Sequence, residues 1–215
     1  MVASTQYRDR VDGGRRLVEA LHHHRGNPAV VLGLPRGGIV TAEAVAEGLG
    51  LPLDFVVAQK LGHPGSQEYA IGAITPCGEV VLNSIASLEC TPEYLHEEQQ
   101  RKLKEAQRRS GLFRQRCPET SLEGKTAILV DDGIATGYTM KAAILAVLKR
   151  HPSRLVVAAP VASDRVFLDF NDLADEVVVP LTPRGFFAVG AHYRDFSQVT
   201  DDEVLRILSA RCPAA

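Results

Sequence analysis

No stretch of this 215-residue sequence approaches the ~20 apolar residues that a membrane-spanning helix needs, so no such span is expected. The opening, MVASTQYRDR, is polar and lacks the apolar core of a secretory signal, so a cytoplasmic setting is expected. An excess of charge is missing too. Lys+Arg number 24 and Asp+Glu 26, a formal −2, so no overall field draws the chain to nucleic acid or to an anionic membrane. A strongly anionic ligand would therefore need positive charge concentrated locally or brought by a metal. Only four cysteines occur, at 77, 90, 117 and 212, and none forms a C-x-x-C pair. That spacing predicts reduced thiols and neither a disulfide framework nor a zinc site.

Several catalytic fingerprints are also absent. There is no complete G-x-x-x-x-G-K-Ser/Thr Walker A loop, since Glu119 stands five residues before Gly124-Lys125-Thr126, no G-x-G-x-x-G after a strand, no G-x-S-x-G elbow and no H-E-x-x-H. His22-His23-His24 has the composition of a metal-binding run, but at the end of a helix it reads as a solvated terminus favoured by the dipole.

What is present is an α/β alternation with 45% hydrophobic residues, and a chain of this size buries roughly 70% of its unfolded surface. A helix is predicted over about Arg8 to His24, followed by apolar strands at Ala29–Leu34, Leu53–Ala58, Thr126–Val130, Leu155–Ala159 and Glu176–Val179. Continuous apolar strands separated by helices indicate a mainly parallel central sheet with helices on both faces. The whole of 1–215 reads as one domain, with a polar helical excursion at about 84–122 and a distinct segment at about 181–199. Within the excursion, Glu97–Arg101 and Glu98–Lys102 stand at i,i+4 in the favourable order. Thr200-Asp-Asp-Glu203 is a capping box that opens a last helix.

Ligands of parallel sheets gather at the carboxyl ends of the strands. There lies Asp131-Asp132-Gly133-Ile134-Ala135-Thr136-Gly137-Tyr-Thr139. Two adjacent carboxylates at the exit of a buried strand are costly unless something binds them. Small residues follow and a helix begins near Gly137, so main-chain amides and the positive end of a dipole point to one place. Such a nest suits a phosphate, with Thr136 and Thr139 adding hydroxyls. The carboxylates would be repelled by that phosphate and suit neighbouring hydroxyl groups. Diol beside phosphate describes ribose 5-phosphate. A simple strand-to-helix turn capped by Asp132 is the plain alternative, and it leaves Asp131 and the small residues unexplained.

Ala127 to Thr139 resembles the 5-phosphoribosyl-1-pyrophosphate (PRPP) motif of type I phosphoribosyltransferases, with Ala135 where Thr is frequent. Leu34-Pro35-Arg36-Gly37-Gly38 is similar to the pyrophosphate loop of that family, often of unusual peptide geometry, so a strained or cis Pro35–Arg36 bond is expected. The segment Gln59-Lys60 to Gly72 resembles the family's flexible active-site loop, with Gln59 where Arg is usual. Tyr7-Arg-Asp-Arg, the polar helix after Asn83, and Gly185-Phe-Phe-Ala-Val-Gly190 with Tyr193-Arg-Asp-Phe196 extend the likeness to a phosphoribosyltransferase subfamily.

The resemblance implies a type I phosphoribosyltransferase-like fold and transfer of phosphoribose from PRPP, with Mg²⁺ as cofactor, to an unidentified nitrogenous acceptor. It implies roles for Asp131, Asp132 and Lys60 in catalysis. Gly133, Ile134, Ala135, Thr136, Gly137 and Thr139 would hold the 5-phosphate. Arg36, Gly37, Gly38 and Lys60 would hold pyrophosphate, with no direct protein ligand to the metal. Glu68 could support the loop or a proton transfer. Phe186, Phe187 and Tyr193, in a C-terminal hood, are the candidates to stack on the acceptor. Nucleic acid and membranes are not expected partners, and a homo-oligomer is an open option. A non-catalytic PRPP- or nucleotide-binding regulator is the alternative function, and it would not need Lys60.

Overall fold

A computed structural model of the chain describes residues 6–212, apart from the side chains of Gln67 and Glu68, which lie outside it. The role considered for Glu68 therefore falls outside the described atoms.

The large sheet comprises β1 (Ala29–Gly33), β2 (Leu53–Phe55), β6 (Thr126–Val130), β7 (Arg154–Ala158) and β8 (Glu176–Val178). These five strands are parallel and lie in the order β2-β1-β6-β7-β8. Register is set by apolar partners such as Val31 with Ile128 and Ile128 with Val156. Alternate residues of each strand feed two cores. Val31, Ile128 and Val156 meet Leu17, Ile39, Val45, Phe113 and Leu208 on one face. Val30, Leu32 and Leu129 meet Ile144, Val147 and Phe170 on the other. The helices that close those faces are α1 (Arg10–Ala20), α2 (Gly37–Leu49) and α6 (Asp201–Arg211) on the first, and α4 (Tyr138–Leu148) and α5 (Val166–Phe170) on the second. Burial on both faces is what an all-parallel sheet requires. The expected capping box is present at Thr200 and Glu203 and starts α6.

Four expectations are corrected. The Lys60 segment, for which the sequence suggested a loop and no strands, is a hairpin of β3 (Gln59–His63) and β4 (Ser66–Ile74), joined by β5 (Val80–Leu82) into a three-stranded antiparallel sheet. Its glycines hid the strand pattern.

The polar helix, α3 (Pro92–Arg114), is no excursion. Tyr94, Leu95 and Leu103 pack on Leu61, Ile71 and Ile74 of the small sheet, while Ala106 and Phe113 reach the main core. Glu98 is buried and pairs with Arg101, and Lys102 turns to Glu105 instead of Glu98.

Cys117 and Cys212 form a disulfide, where four thiols were expected. The two lie 95 residues apart, and they meet because the end of α6 packs beside the turn after α3. Cys77 and Cys90 are free.

His22–His24 form a separate 3-10 turn, not the solvated last turn of α1, and His24 is buried. Among the described residues, no helix is long and apolar enough to cross a membrane.

Candidate functional site

The site is built at the carboxyl ends of β1 and β6, neighbours in the middle of the large sheet. Pairing continues one residue past each strand: Leu34 N donates to Val130 O (2.9 Å) and Asp131 N to Ala158 O (3.2 Å). This fixes the loops after β1 and β6 against each other. The Pro35–Arg36 peptide is cis, one of the two geometries, strained or cis, that the family resemblance implied.

Gly37 and Gly38 follow, and their lack of side chains makes room for the acidic pair. A Cβ on Gly38 would lie 2.7 Å from Asp131 Oδ1, and one on Gly37 would run into the Asp132 carboxylate. Two loops can approach this closely only where one has no Cβ.

The carboxylates are held differently. Asp131 Oδ1 accepts the Asp132 amide (2.8 Å). Asp132 Oδ2 takes Arg10 Nε at 2.7 Å, and the Asp132 carbonyl accepts the Tyr193 hydroxyl at 2.6 Å. Burial, then the negative charge of Asp132, pushes the Asp131 carboxyl well above its usual range. Burial raises Asp132 too, while Arg10 opposes the rise. A cationic ligand between the two would pull both back toward ionisation.

Beyond them the loop turns under its own small residues. Ile134 is buried and its amide donates to Val161 O (3.0 Å), so it anchors the loop from behind and offers no donor outward. This corrects its expected place among the phosphate contacts. The amides of Ala135, Thr136 and Gly137 donate to no protein acceptor among the described residues. Gly137, at φ +76°, is the residue before α4, a left-handed conformation that side chains other than glycine adopt with strain. Ala135, Thr136, Gly137 and Thr139 line a cavity of about 610 Å³, which Asp131, Lys60, Ala70, Phe187, Val189 and Phe196 also line. In chemical terms this is an anion nest beside two acids.

Arg36 does not share that cavity. It lines an adjoining hollow of about 340 Å³ with Arg10, Gly37 and Phe196, and its Nη1 stands 3.9 Å from Asp201 Oδ1. Lys60 and Arg36 therefore line two different hollows, which share Phe196.

The hood aromatics divide. Phe187 is 92% exposed and stands at the main cavity. Phe186 stacks on His192, with ring centroids 5.4 Å apart. Tyr193 is buried against Tyr7 and Phe196 and is a post under the acidic loop, which corrects its expected stacking place. Phe196, which the sequence reading left out of the stacking set, lines both hollows and carries Arg10 at 3.8 Å over its ring. Arg10 was missed as well. Its signal was only the basic opening Tyr7-Arg-Asp-Arg, which pairs with the hood through Tyr7 and Tyr193.

Comparison with known proteins agrees with this architecture. Residues 4–174 match the family model described as the phosphoribosyl transferase domain. A Mycobacterium tuberculosis H37Rv protein, provisionally named a phosphoribosyl transferase, is 43% identical over 202 residues, covering 93% of this chain and 46% of its own. The chain thus spans about half the length of the curated relatives it matches. The crystal structure of TT1426 from Thermus thermophilus superposes with a TM-score of 0.79 at 42% identity, over 97% of this chain and all of that one. A hypothetical Neisseria gonorrhoeae protein shares the fold at a TM-score of 0.50 and 14% identity, over 95% of this chain and 94% of its own.

Proposed function

This chain belongs to the phosphoribosyl transferase family, and from that premise we propose that it uses PRPP and Mg²⁺ to transfer a phosphoribosyl group to a nitrogenous acceptor, releasing pyrophosphate. One observation carries this reading. The amides of Ala135, Thr136 and Gly137, which donate to no protein acceptor among the described residues, belong to a cavity-lining loop that follows Asp131 and Asp132 at the end of a central strand.

In this reading Gly133, Ala135, Thr136, Gly137 and Thr139 cradle the 5-phosphate, and Ile134 seats the loop. Asp131 and Asp132 accept the ribose hydroxyls. As the bond from C1 to the pyrophosphate oxygen breaks, positive charge builds on the ring, and the acids favour it. Arg10 holds Asp132 in place for that task. Lys60, from β3, and Arg36, Gly37 and Gly38, from the loop after β1, receive the pyrophosphate. The acceptor nitrogen then bonds to C1, with Phe187 and Phe196 as the aromatic faces nearest it.

The acidic pair already serves Arg10 and a main-chain amide, so it fits contact with the water shell of an ion better than direct ligation. Bound through PRPP, Mg²⁺ would supply charge that offsets the leaving group.

The test is pyrophosphate release from PRPP with Mg²⁺ across purines, pyrimidines and small amines. Turnover with at least one acceptor is expected, and Lys60→Ala should lower it. Tight PRPP binding with no turnover of any acceptor would instead assign a regulatory binding protein. Absence of PRPP binding would reject both readings.

A further inference from the structure

The 3-10 turn His22–His24 follows α1 at the edge of the sheet opposite the acidic loop. Glu176 is the first residue of β8, and Arg154 the first of β7. The acidic loop follows the last residue of β6, at the other end, about 17 Å away along a five-residue strand.

Here two imidazoles converge on one carboxylate. His23 Nε2 lies 3.0 Å from Glu176 Oε1 and His24 Nε2 3.3 Å from Glu176 Oε2, and the His23 and His24 ring centroids are 4.2 Å apart. All three ligand atoms fall within 4.8 Å of one another. A tetrahedral ion with bonds of about 2.0–2.1 Å holds its ligand atoms about 3.3 Å apart, close to the two His–Glu separations.

We propose that His23, His24 and Glu176 form a site for a divalent transition metal of the zinc class, fastening the end of α1 to the edge strand β8. Two imidazoles and one carboxylate are a recurrent zinc donor set that leaves a fourth position for water. Softness favours Zn²⁺, Ni²⁺ or Cu²⁺ and disfavours Mg²⁺, which prefers oxygen. His24 is fixed in place by burial, while His23 stands at the surface. His23 and Arg154 are about half exposed, so His23 can swing inward while Arg154, 3.3 Å from Glu176, moves out to solvent. His22 is not a member: its Nδ1 is 2.9 Å from Glu19 O. The site is independent of the proposed transferase reaction.

The experiment is titration of tag-free, EDTA-treated protein with ZnCl₂, read by calorimetry and by melting temperature, with MgCl₂ as control. One equivalent of Zn²⁺ should bind and raise the melting temperature by about 5 °C at saturating metal, with no response to Mg²⁺ alone. His23→Ala and Glu176→Gln should each weaken binding about 100-fold or more, since even outer-shell substitutions cost 10–100-fold. His22→Ala and Asp131→Asn should leave it unchanged; the latter outcome separates this site from the acidic loop. His23→Ala removes a half-exposed ring and should still fold. Binding that survives His23→Ala, that needs His22, or that never reaches one equivalent would overturn the proposal.

Discussion

The large sheet and the small one stand side by side but are held by different forces. Every residue of β1 is buried, and β6 and β7 are buried apart from their first residues, with helices over both faces. The small sheet has a thin apolar patch under α3 and leans on α4 through alanines, Ala73 against Ala142. Specific polar contacts make up the difference. Glu98 accepts the Gly62 amide (3.2 Å), Tyr94 donates to Gly62 O (2.7 Å), and Lys149 pairs with Glu79 (2.6 Å). A region held by area tolerates little movement, and one held by a few polar contacts opens locally at lower cost. The acids stand on the first and Lys60 on the second, so a firmly held acidic pair faces a wall with a lower cost of local opening.

The largest expected effect bears on the fixed side. Asp131→Asn should lower pyrophosphate release by about 100-fold, as loss of one electrostatic contact to a transition state commonly does. The same change should raise the melting temperature near neutral pH. Asp131's folded pKa lies above its ordinary value of 3.8, so the folded state holds its proton longer. Stability therefore falls as pH rises from the unfolded value through the folded one. The variant should flatten that fall, and an unchanged pH profile would remove the account of a strained carboxylate.

Next comes the joint between the two regions. Asp54 of β2 is fully buried and binds Arg114 at the end of α3 (2.5 Å) and Arg150 after α4 (2.9 Å). Asp54→Ala strands two partly buried cations and should cost about 3 kcal/mol in denaturant unfolding. A loss below 1 kcal/mol would mean that the joint is not what holds α3 to the core.

Within the small sheet, Glu98→Ala should cost about 2 kcal/mol by leaving the buried Gly62 amide without an acceptor. Hydrogen exchange should show this in β3 and β4 before β1 or β6; uniform loss of protection would erase the contrast. Tyr94→Phe is the mildest test, at about 1 kcal/mol for a single neutral hydrogen bond.

The same contrast explains what could be read in advance. The strands at 29–34, 126–130 and 155–159 were legible because continuous burial leaves continuous apolar runs. The hairpin around Lys60 was not, since Gly62, Gly65 and Gly72 interrupt its pattern. α3 looked like a solvated helix because its buried members include Glu98 and Ala106, residues whose burial depends on partners outside the helix. At the candidate site the acidic pair and small residues stood out as local anomalies. Ile134's inward amide and the burial of Tyr193 did not, because each depends on a segment remote in sequence.

By itself the amino-acid order determined the parallel α/β core, the capping box of α6 and the chemistry gathered after β6, all governed by contacts among near neighbours and by hydrophobic period. Tertiary structure alone decided that Arg10 would reach Asp132 across 122 positions, that Cys117 would meet Cys212, and that His24 would turn inward to Glu176. Those outcomes depend on how packed layers bring distant segments within a few ångströms, and no local pattern encodes that distance.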